Sequence, residues 1–222
     1  MGYFTRFEYA LWSISVIAII ASFFIFGGDS YLSMIASLIG VTSLILCAKG
    51  NFIGQILIII FSLIYGYISY TFRYYGEMLT YVCMTLPMAV IALVSWIKNP
   101  YKGKKAEVKI YNVKKKDIWV MSFLTIVVTV IFFFVLAYFN TANLIPSTLS
   151  VTTSFVAVYL TYKRSPYYAV AYSLNDIVLI CLWLLAGMVE KRYYSVVVCF
   201  IIFLINDIYG FVSWKRMEVR QK

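Results

Sequence analysis

The 222-residue chain contains no histidine, and only nine acidic residues stand against nineteen lysines and arginines. The side chain that most often serves as general base and metal ligand is therefore missing, together with one common element of proton relays. Cysteine is scarce as well. Cys47, Cys83, Cys181 and Cys199 form no Cys-x-x-Cys pair, so a zinc site or thiol redox centre has no candidate ligand set, and no metal is expected. All four fall in apolar runs and read as small buried hydrophobes. No glycine-rich phosphate loop and no Gly-x-Ser-x-Gly elbow occurs, which leaves ATP-driven pumping and serine hydrolysis without a site. No cofactor is expected.

Charged residues make up 13% of the chain and hydrophobic ones 63%, far from the roughly one-quarter charged composition of soluble domains. The chain reads as an all-α polytopic membrane protein. Its first apolar run continues through "FFIFGGDSYLS" into another, without the small-residue cleavage site of a signal peptide, and counts as a retained span. Taking about 20 apolar residues per crossing, eight spans follow: 8–26, 31–48, 52–72, 75–97, 118–139, 144–162, 165–187 and 192–214. A basic linker, residues 98–117, separates the fourth from the fifth, and residues 217–222 read as a tail.

The positive residues test this count. With eight spans, sixteen of the nineteen lysines and arginines fall on the side shared by both termini; only Arg73, Lys191 and Arg192 fall opposite. Positive residues accumulate on the cytoplasmic side, so both termini are expected there. The linker is then a cytoplasmic loop facing anionic lipid, and the excess positive charge needs no nucleic-acid partner.

Two stretches resemble two others. "SLIGVTSLILCAKG" (37–50) is similar to "STLSVTTSFVAVYLTYKR" (147–164), and "AVIALVSWIK" (89–98) to "DIYGFVSWKR" (207–216), which aligns Trp96 with Trp214. The same offset sets Tyr65 on Trp183. Two three-helix repeats follow, 31–97 and 144–216, joined by the span 118–139, with residues 1–30 carrying an added helix in front. An odd unit plus a linker helix makes the repeats parallel, related by an axis along the membrane normal. A substrate site is expected between them.

A carboxylate inside the membrane costs at least about 2.5 kcal/mol and marks a functional candidate. Asp176 sits about 16 Å into its helix at 1.5 Å per residue. Helical spacing places Tyr172, Asn175, Asp176, Leu179 and Trp183 on one stripe, an aromatic and polar wall. On the last span Phe203, Asp207, Gly210 and Trp214 share a stripe with Asn206 beside it. Gln55, Ser62, Gly66 and Ser69 share a face of the third span; Glu77, Tyr81, Met84 and Met88 share one on the fourth. Interhelical hydrogen bonding is the competing role for Gln55, Asn206 and Asp207. Pro87 removes a backbone donor and predicts a kink. The tyrosines divide between interfacial belts and positions inside spans such as Tyr65 and Tyr81. An intramembrane enzyme would need paired groups. Asp176 and Asp207 are the available pair, but counting along their helices sets them at different depths, and no enzymatic activity is expected.

The segments "GVTSLILCAKGN", "YYGEMLTYVCMTLPMAVIALVSWIKNP" and "NDIYGFVSWKRM" resemble the Pnu (PnuC-like) family of vitamin and nucleoside transporters over residues 31–216. The resemblance implies a three-plus-one-plus-three core shared with the SWEET sugar transporters, a bacterial cytoplasmic membrane location and a homotrimer. It implies carriage of nicotinamide riboside by facilitated diffusion with alternating access, the substrate being trapped by cytoplasmic phosphorylation. Asp176, Asn175, Trp183, Tyr172, Gln55, Tyr65, Tyr81, Asn206 and Asp207 are the expected substrate-binding residues. One departure stands out: the Trp-x-x-Trp pair of the nicotinamide riboside members aligns with Ala169 and Tyr172. A deoxynucleoside, thiamine or riboflavin is therefore the alternative cargo, and an ion-coupled carrier, channel or scaffold the alternative class.

Overall fold

The computed structural model describes residues 3–27, 30–71, 73, 75–141 and 143–222. Among them, eight helices are long and apolar enough to cross a membrane: α1 (Arg6–Phe26), α2 (Tyr31–Ala48), α3 (Ile53–Thr71), α4 (Tyr75–Lys98), α5 (Lys115–Tyr138), α6 (Leu144–Tyr162), α7 (Tyr168–Val189) and α8 (Tyr194–Gln221). The chain is an eight-helix membrane protein. Spans two and six begin and end where the apolar runs do. The last helix runs on to Gln221, so residues 217–221 of the expected tail are helical. Its polar end is held by Lys215–Glu218 and by Gln221 Nε2, which donates to the Val108 carbonyl.

Helix neighbours repeat a pattern. α2 packs on α3 and α3 on α4; α6 packs on α7 and α7 on α8. The two sets meet where α2 touches α8 and where α4 touches α6, while α1 lies on α2 and α8 and α5 lies mainly on α6. At the face carrying both termini, one construction occurs twice. Glu8, in the first turn of α1, accepts from the Thr5 N–H, the Tyr209 hydroxyl and the ammonium of Lys49, the residue capping α2. Asp117, in the first turn of α5, accepts from the Lys114 N–H, the Tyr111 hydroxyl and the ammonium of Lys163, the residue capping α6. Carboxylates at helix N-termini and ammonium groups at C-termini are both favoured by the helix dipole.

The helices that meet across the two sets are bound by side chains of matching type. Ser95 Oγ and Trp96 Nε1 on α4 donate to the Tyr162 and Thr161 carbonyls of α6. Ser213 Oγ and Trp214 Nε1 on α8 donate to the Ala48 and Cys47 carbonyls of α2. The last carbonyls of a helix lack intrahelical donors, and these four bonds supply them.

The basic linker is more than a loop. Pro100–Tyr101 and Lys104–Val108 form an antiparallel hairpin, β1 and β2, turning through Lys102 and Gly103, both at positive φ. Val108 is buried and its N–H donates to the Gly50 carbonyl, while the Tyr111 N–H donates to the Arg164 carbonyl. The linker thus ties together the turns that follow α2 and α6.

Helix α4 holds a π-helical turn at Thr80–Thr85, just ahead of Pro87. The Leu86 N–H reaches the Tyr81 carbonyl and the Thr85 hydroxyl donates to the Thr80 carbonyl. The break expected from Pro87 is therefore taken up by a widened turn before it. The cysteines also depart from expectation: Cys47 and Cys199 are buried, whereas Cys83 and Cys181 are exposed on outer helix faces. In a bilayer such faces meet acyl chains, so an apolar run does not require burial in protein.

Candidate substrate site

A cavity of about 180 Å³ lies between the helices, with walls from α2, α3, α4, α6, α7 and α8 and Leu136 of α5 at its edge. It takes in Tyr172, Asn175, Asp176 and Trp183 from α7, Gln55 and Tyr65 from α3, Tyr81 from α4 and Asp207 from α8. Eight of the nine expected site residues therefore meet in one space. Asn206 does not. It is turned toward α1, where its amide donates to Ser15 Oγ at 3.0 Å and to the Ile202 carbonyl at 2.9 Å. Consecutive residues on a helix point about 100° apart, so Asp207 faces the cavity while Asn206 serves the packing of the added N-terminal helix.

Asp176 and Asp207 are 4% and 3% exposed, and their carboxyl groups lie within hydrogen-bonding reach of each other. The different depths expected from counting along the two spans are corrected here. α7 and α8 run in opposite senses, and each aspartate lies less than three turns from its helix's end at the terminal face, if the residues of α8 beyond Trp214 are taken as standing outside the bilayer. Asp176 Oδ2 has no hydrogen-bond donor among the described residues. Among the described residues, no lysine or arginine lines the cavity.

Neighbouring polar groups are already committed to the scaffold. Asn175 Oδ1 accepts from Ser150 Oγ at 3.2 Å and Thr153 Oγ1 at 2.9 Å on α6. Gln55 is 1% exposed and its amide donates to Cys47 Sγ. Each orients a cavity wall by a bond across a helix pair, so one side chain both packs two helices and faces the cavity.

Aromatic rings line the opposite wall. Phe61 and Tyr65 centroids lie 4.6 Å apart, and Tyr65 and Tyr81 5.3 Å apart at a 34° tilt. Trp183 packs on Tyr193 at 5.4 Å. A second cavity, about 70 Å³, shares Tyr65, Glu77, Trp183 and Val196 with the first. Those four residues stand between the two spaces. At the other end, Tyr168 lines the main cavity and packs edge-on against Trp214 at 4.9 Å.

The expected substrate-binding residues left out Glu77, Phe61, Phe203 and Tyr168, although all line the cavity; Glu77 and Phe203 stood on the stripes read from the fourth and last spans, Phe61 and Tyr168 on none. Glu77 shares a stripe with Tyr81, and an acidic residue on an apolar helix was the available signal. The same stripe divides. Met84 and Met88 pack with Leu136 and Val151 instead, because the π turn between Tyr81 and Pro87 rotates the second half of α4.

The chain and its fold have counterparts among known proteins. The family model described as nicotinamide mononucleotide transporter matches residues 30–216. The chain belongs to that family. It is a family of transporters and not of enzymes, so Asp176 and Asp207 are not a catalytic dyad. A Neisseria mucosa relative named nicotinamide riboside transporter PnuC is 27% identical, the alignment covering 99% of this chain and 84% of the relative. A Haemophilus influenzae protein of the same name is 23% identical over 86% of this chain and 82% of its own length. Among solved structures, the vitamin B3 transporter PnuC superposes with a TM-score of 0.83 at 23% identity, covering all of this chain and 96% of that one. The likeness to the solved structure establishes the fold.

Proposed function

We propose that this transporter carries nicotinamide riboside across a bacterial cytoplasmic membrane by facilitated diffusion. The observation that carries the reading is the cavity itself: buried carboxyl groups and stacked aromatic rings, with no basic side chain among the described lining residues. Nicotinamide riboside joins a positively charged pyridinium ring to a ribose. The aromatic faces of Tyr65, Tyr81 and Trp183 attract such a ring by cation–π contact, about 0.5–2 kcal/mol each. Asp176, Asp207 and Asn175 are suited to the charge and the ribose hydroxyls. The names of the two relatives support the same cargo.

Alternating access follows from the two sets of helices, α2–α4 and α6–α8, rocking about the cavity. The terminal face, closed by the Ser–Trp braces and the linker, is taken as cytoplasmic, in keeping with its sixteen positive residues. Tyr65, Glu77, Trp183 and Val196 form the outer barrier. Substrate is then retained inside by phosphorylation, and the working unit is a homotrimer, as the family resemblance implies.

A second cargo is favoured by one observation. Of the two positions aligned with the Trp-x-x-Trp pair, Tyr172 lines the cavity, whereas Ala169 is fully buried in the core with Tyr168 and Trp214. A neutral deoxynucleoside would use the same amide and carboxyl groups without needing that pair. Uptake of labelled nicotinamide riboside into proteoliposomes, with excess unlabelled thymidine, deoxyadenosine, thiamine or riboflavin as competitors, separates the readings. Block by unlabelled nicotinamide riboside alone supports the first, and entry of a deoxynucleoside in its place supports the second.

A further inference from the structure

A groove of about 530 Å³ lies at the terminal face, where α4 ends at Lys98 and α6 at Tyr162. Val90, Val94 and Lys98 follow one another at i, i+4 and i+8 along its α4 wall and share one stripe, about 12 Å long at 1.5 Å per residue. The two valines and Ile91 are exposed. In a bilayer this part of the wall meets acyl chains, and the stripe ends on an ammonium group where the helix leaves the apolar layer. Across the groove, Arg164 Nη1 donates to Ser95 Oγ at 2.6 Å and Nε to the Lys109 carbonyl at 3.1 Å. The guanidinium is thus held between the two helices, and among the described residues no acceptor engages its Nη2. Among those residues neither Lys98 nor Arg164 has a carboxylate partner, whereas Lys163 beside them is paired with Asp117. Two uncompensated cations therefore stand above an apolar floor.

The matching groove of the other set, between α2 and α8, is covered. There α1 lies on both helices, and its Glu8 accepts from Tyr209, the residue that the alignment of Trp96 with Trp214 sets on Ile91. α5 takes the corresponding place beside α6, with Asp117 bonded to Lys163 as Glu8 is to Lys49, but it lies mainly on α6 and leaves the α4 side bare. Charge complementarity selects the occupant. A second copy of the chain would bring a terminal face that is itself rich in lysine and arginine, which the two cations oppose. A phosphate with hydrocarbon beneath it matches both parts of the wall. We infer that the groove between α4 and α6 seats an anionic phospholipid, its phosphate held by Arg164 and Lys98 and an acyl chain laid along Val94, Ile91 and Val90. A lipid so placed bridges α4 of one set and α6 of the other, beside the bond from Ser95 to the Tyr162 carbonyl. This does not depend on which nucleoside is carried.

The test is native mass spectrometry of the detergent-solubilised protein titrated with phosphatidylglycerol, with phosphatidylcholine of the same acyl chains, or with glycerol phosphate. One saturable phosphatidylglycerol per chain is expected, with the other two binding several-fold more weakly. Lys98→Gln should weaken it about fivefold, and Lys98→Gln combined with Arg164→Gln about twenty-five-fold, as expected for one and two cations near a lipid surface. Lys98 is exposed, so its variant decides the matter even if loss of the Arg164 bonds impairs folding. Lys115→Gln, at the start of α5 on the same face and outside the groove, should leave the affinity unchanged. An equal loss in Lys115→Gln would mean attraction to the positive face as a whole and overturns the inference. Equal affinity for phosphatidylcholine removes the role of the cations and overturns it, and equal affinity for glycerol phosphate makes the groove a site for free phosphate instead of lipid. Absence of saturable phosphatidylglycerol overturns it as well; if Lys98→Gln then splits an oligomer into single chains, the groove belongs to a second copy.

Discussion

Trp96 and Trp214 meet ring to ring, with centroids 5.4 Å apart and planes at 48°. One indole is bonded to the end of α6 and the other to the end of α2. Both are 2% exposed or less. The pair therefore joins four helices at a single point beneath the cavity, and Tyr168 connects that point to the cavity floor.

Loosening this joint should open the terminal face. A hydrogen bond of this kind contributes about 0.5–1.5 kcal/mol. Trp214→Phe keeps most of the packing and removes the donor. Cys47, buried beside the brace, is a native reporter. With the other three cysteines replaced by serine, a permeant thiol reagent should label Cys47 several-fold faster in Trp214→Phe than in the parent. Equal labelling rates would mean that the indole bond does not hold the face closed.

The close approach of α2 and α3 depends on Gly54. A Cβ there would lie 2.8 Å from the Cys47 amide nitrogen and 3.0 Å from the Ser43 carbonyl oxygen. These are backbone atoms that cannot turn aside. Gly54→Ala should cost about 1–3 kcal/mol through overpacking, seen as a lower melting temperature in detergent and a reduced folded yield. An unchanged melting temperature would contradict the packing described for this hairpin.

Much of the architecture was legible in the sequence because a bilayer demands uninterrupted apolar runs with charge at their ends. The number and order of the helices followed from that requirement, and so did the ends of spans two and six, whereas the last helix runs on to Gln221. What remained hidden depended on which neighbour a face meets. Asn206 and Asp207 are adjacent in a helix, and only the position of α1 assigns one to packing and the other to the cavity. The Asp176–Asp207 contact was obscured because depth counted along single helices ignores how antiparallel neighbours register. In the linker, Val108 lies within a lysine-rich run, and nothing local to it announces that the hairpin will dock on Gly50 or that Tyr111 just beyond it will bond to Arg164. The π turn in α4 escaped notice because Pro87 signals a lost bond without saying how the chain accommodates it.

That turn leads to a further expectation. Pro87→Ala restores a donor and allows α4 to relax toward regular α-helix. Glu77 and Tyr81 would then rotate relative to Met84 and Met88. Uptake should show a raised KM, with protein level little changed. Normal KM in Pro87→Ala would mean that the π turn is kept by its other contacts, Thr85 to Thr80 among them.

Aromatic contribution to binding is open to a direct comparison. Replacing Trp183 or Tyr81 by alanine removes a cation–π face of about 0.5–2 kcal/mol, equivalent to about a two- to thirtyfold loss in affinity. The uncharged dihydro riboside should lose less in each variant. Equal losses for both ligands would show that the rings act only through apolar contact.

The central claim is that the buried carboxyl pair holds a cationic nucleoside. Its most direct test is uptake of labelled nicotinamide riboside into proteoliposomes by the unaltered protein and by Asp176→Asn, alongside a circular-dichroism check that both are folded. The account predicts saturable uptake that equilibrates without accumulation, reduced at least tenfold by Asp176→Asn. Folded Asp176→Asn protein that transports nicotinamide riboside as fast as the parent would contradict it.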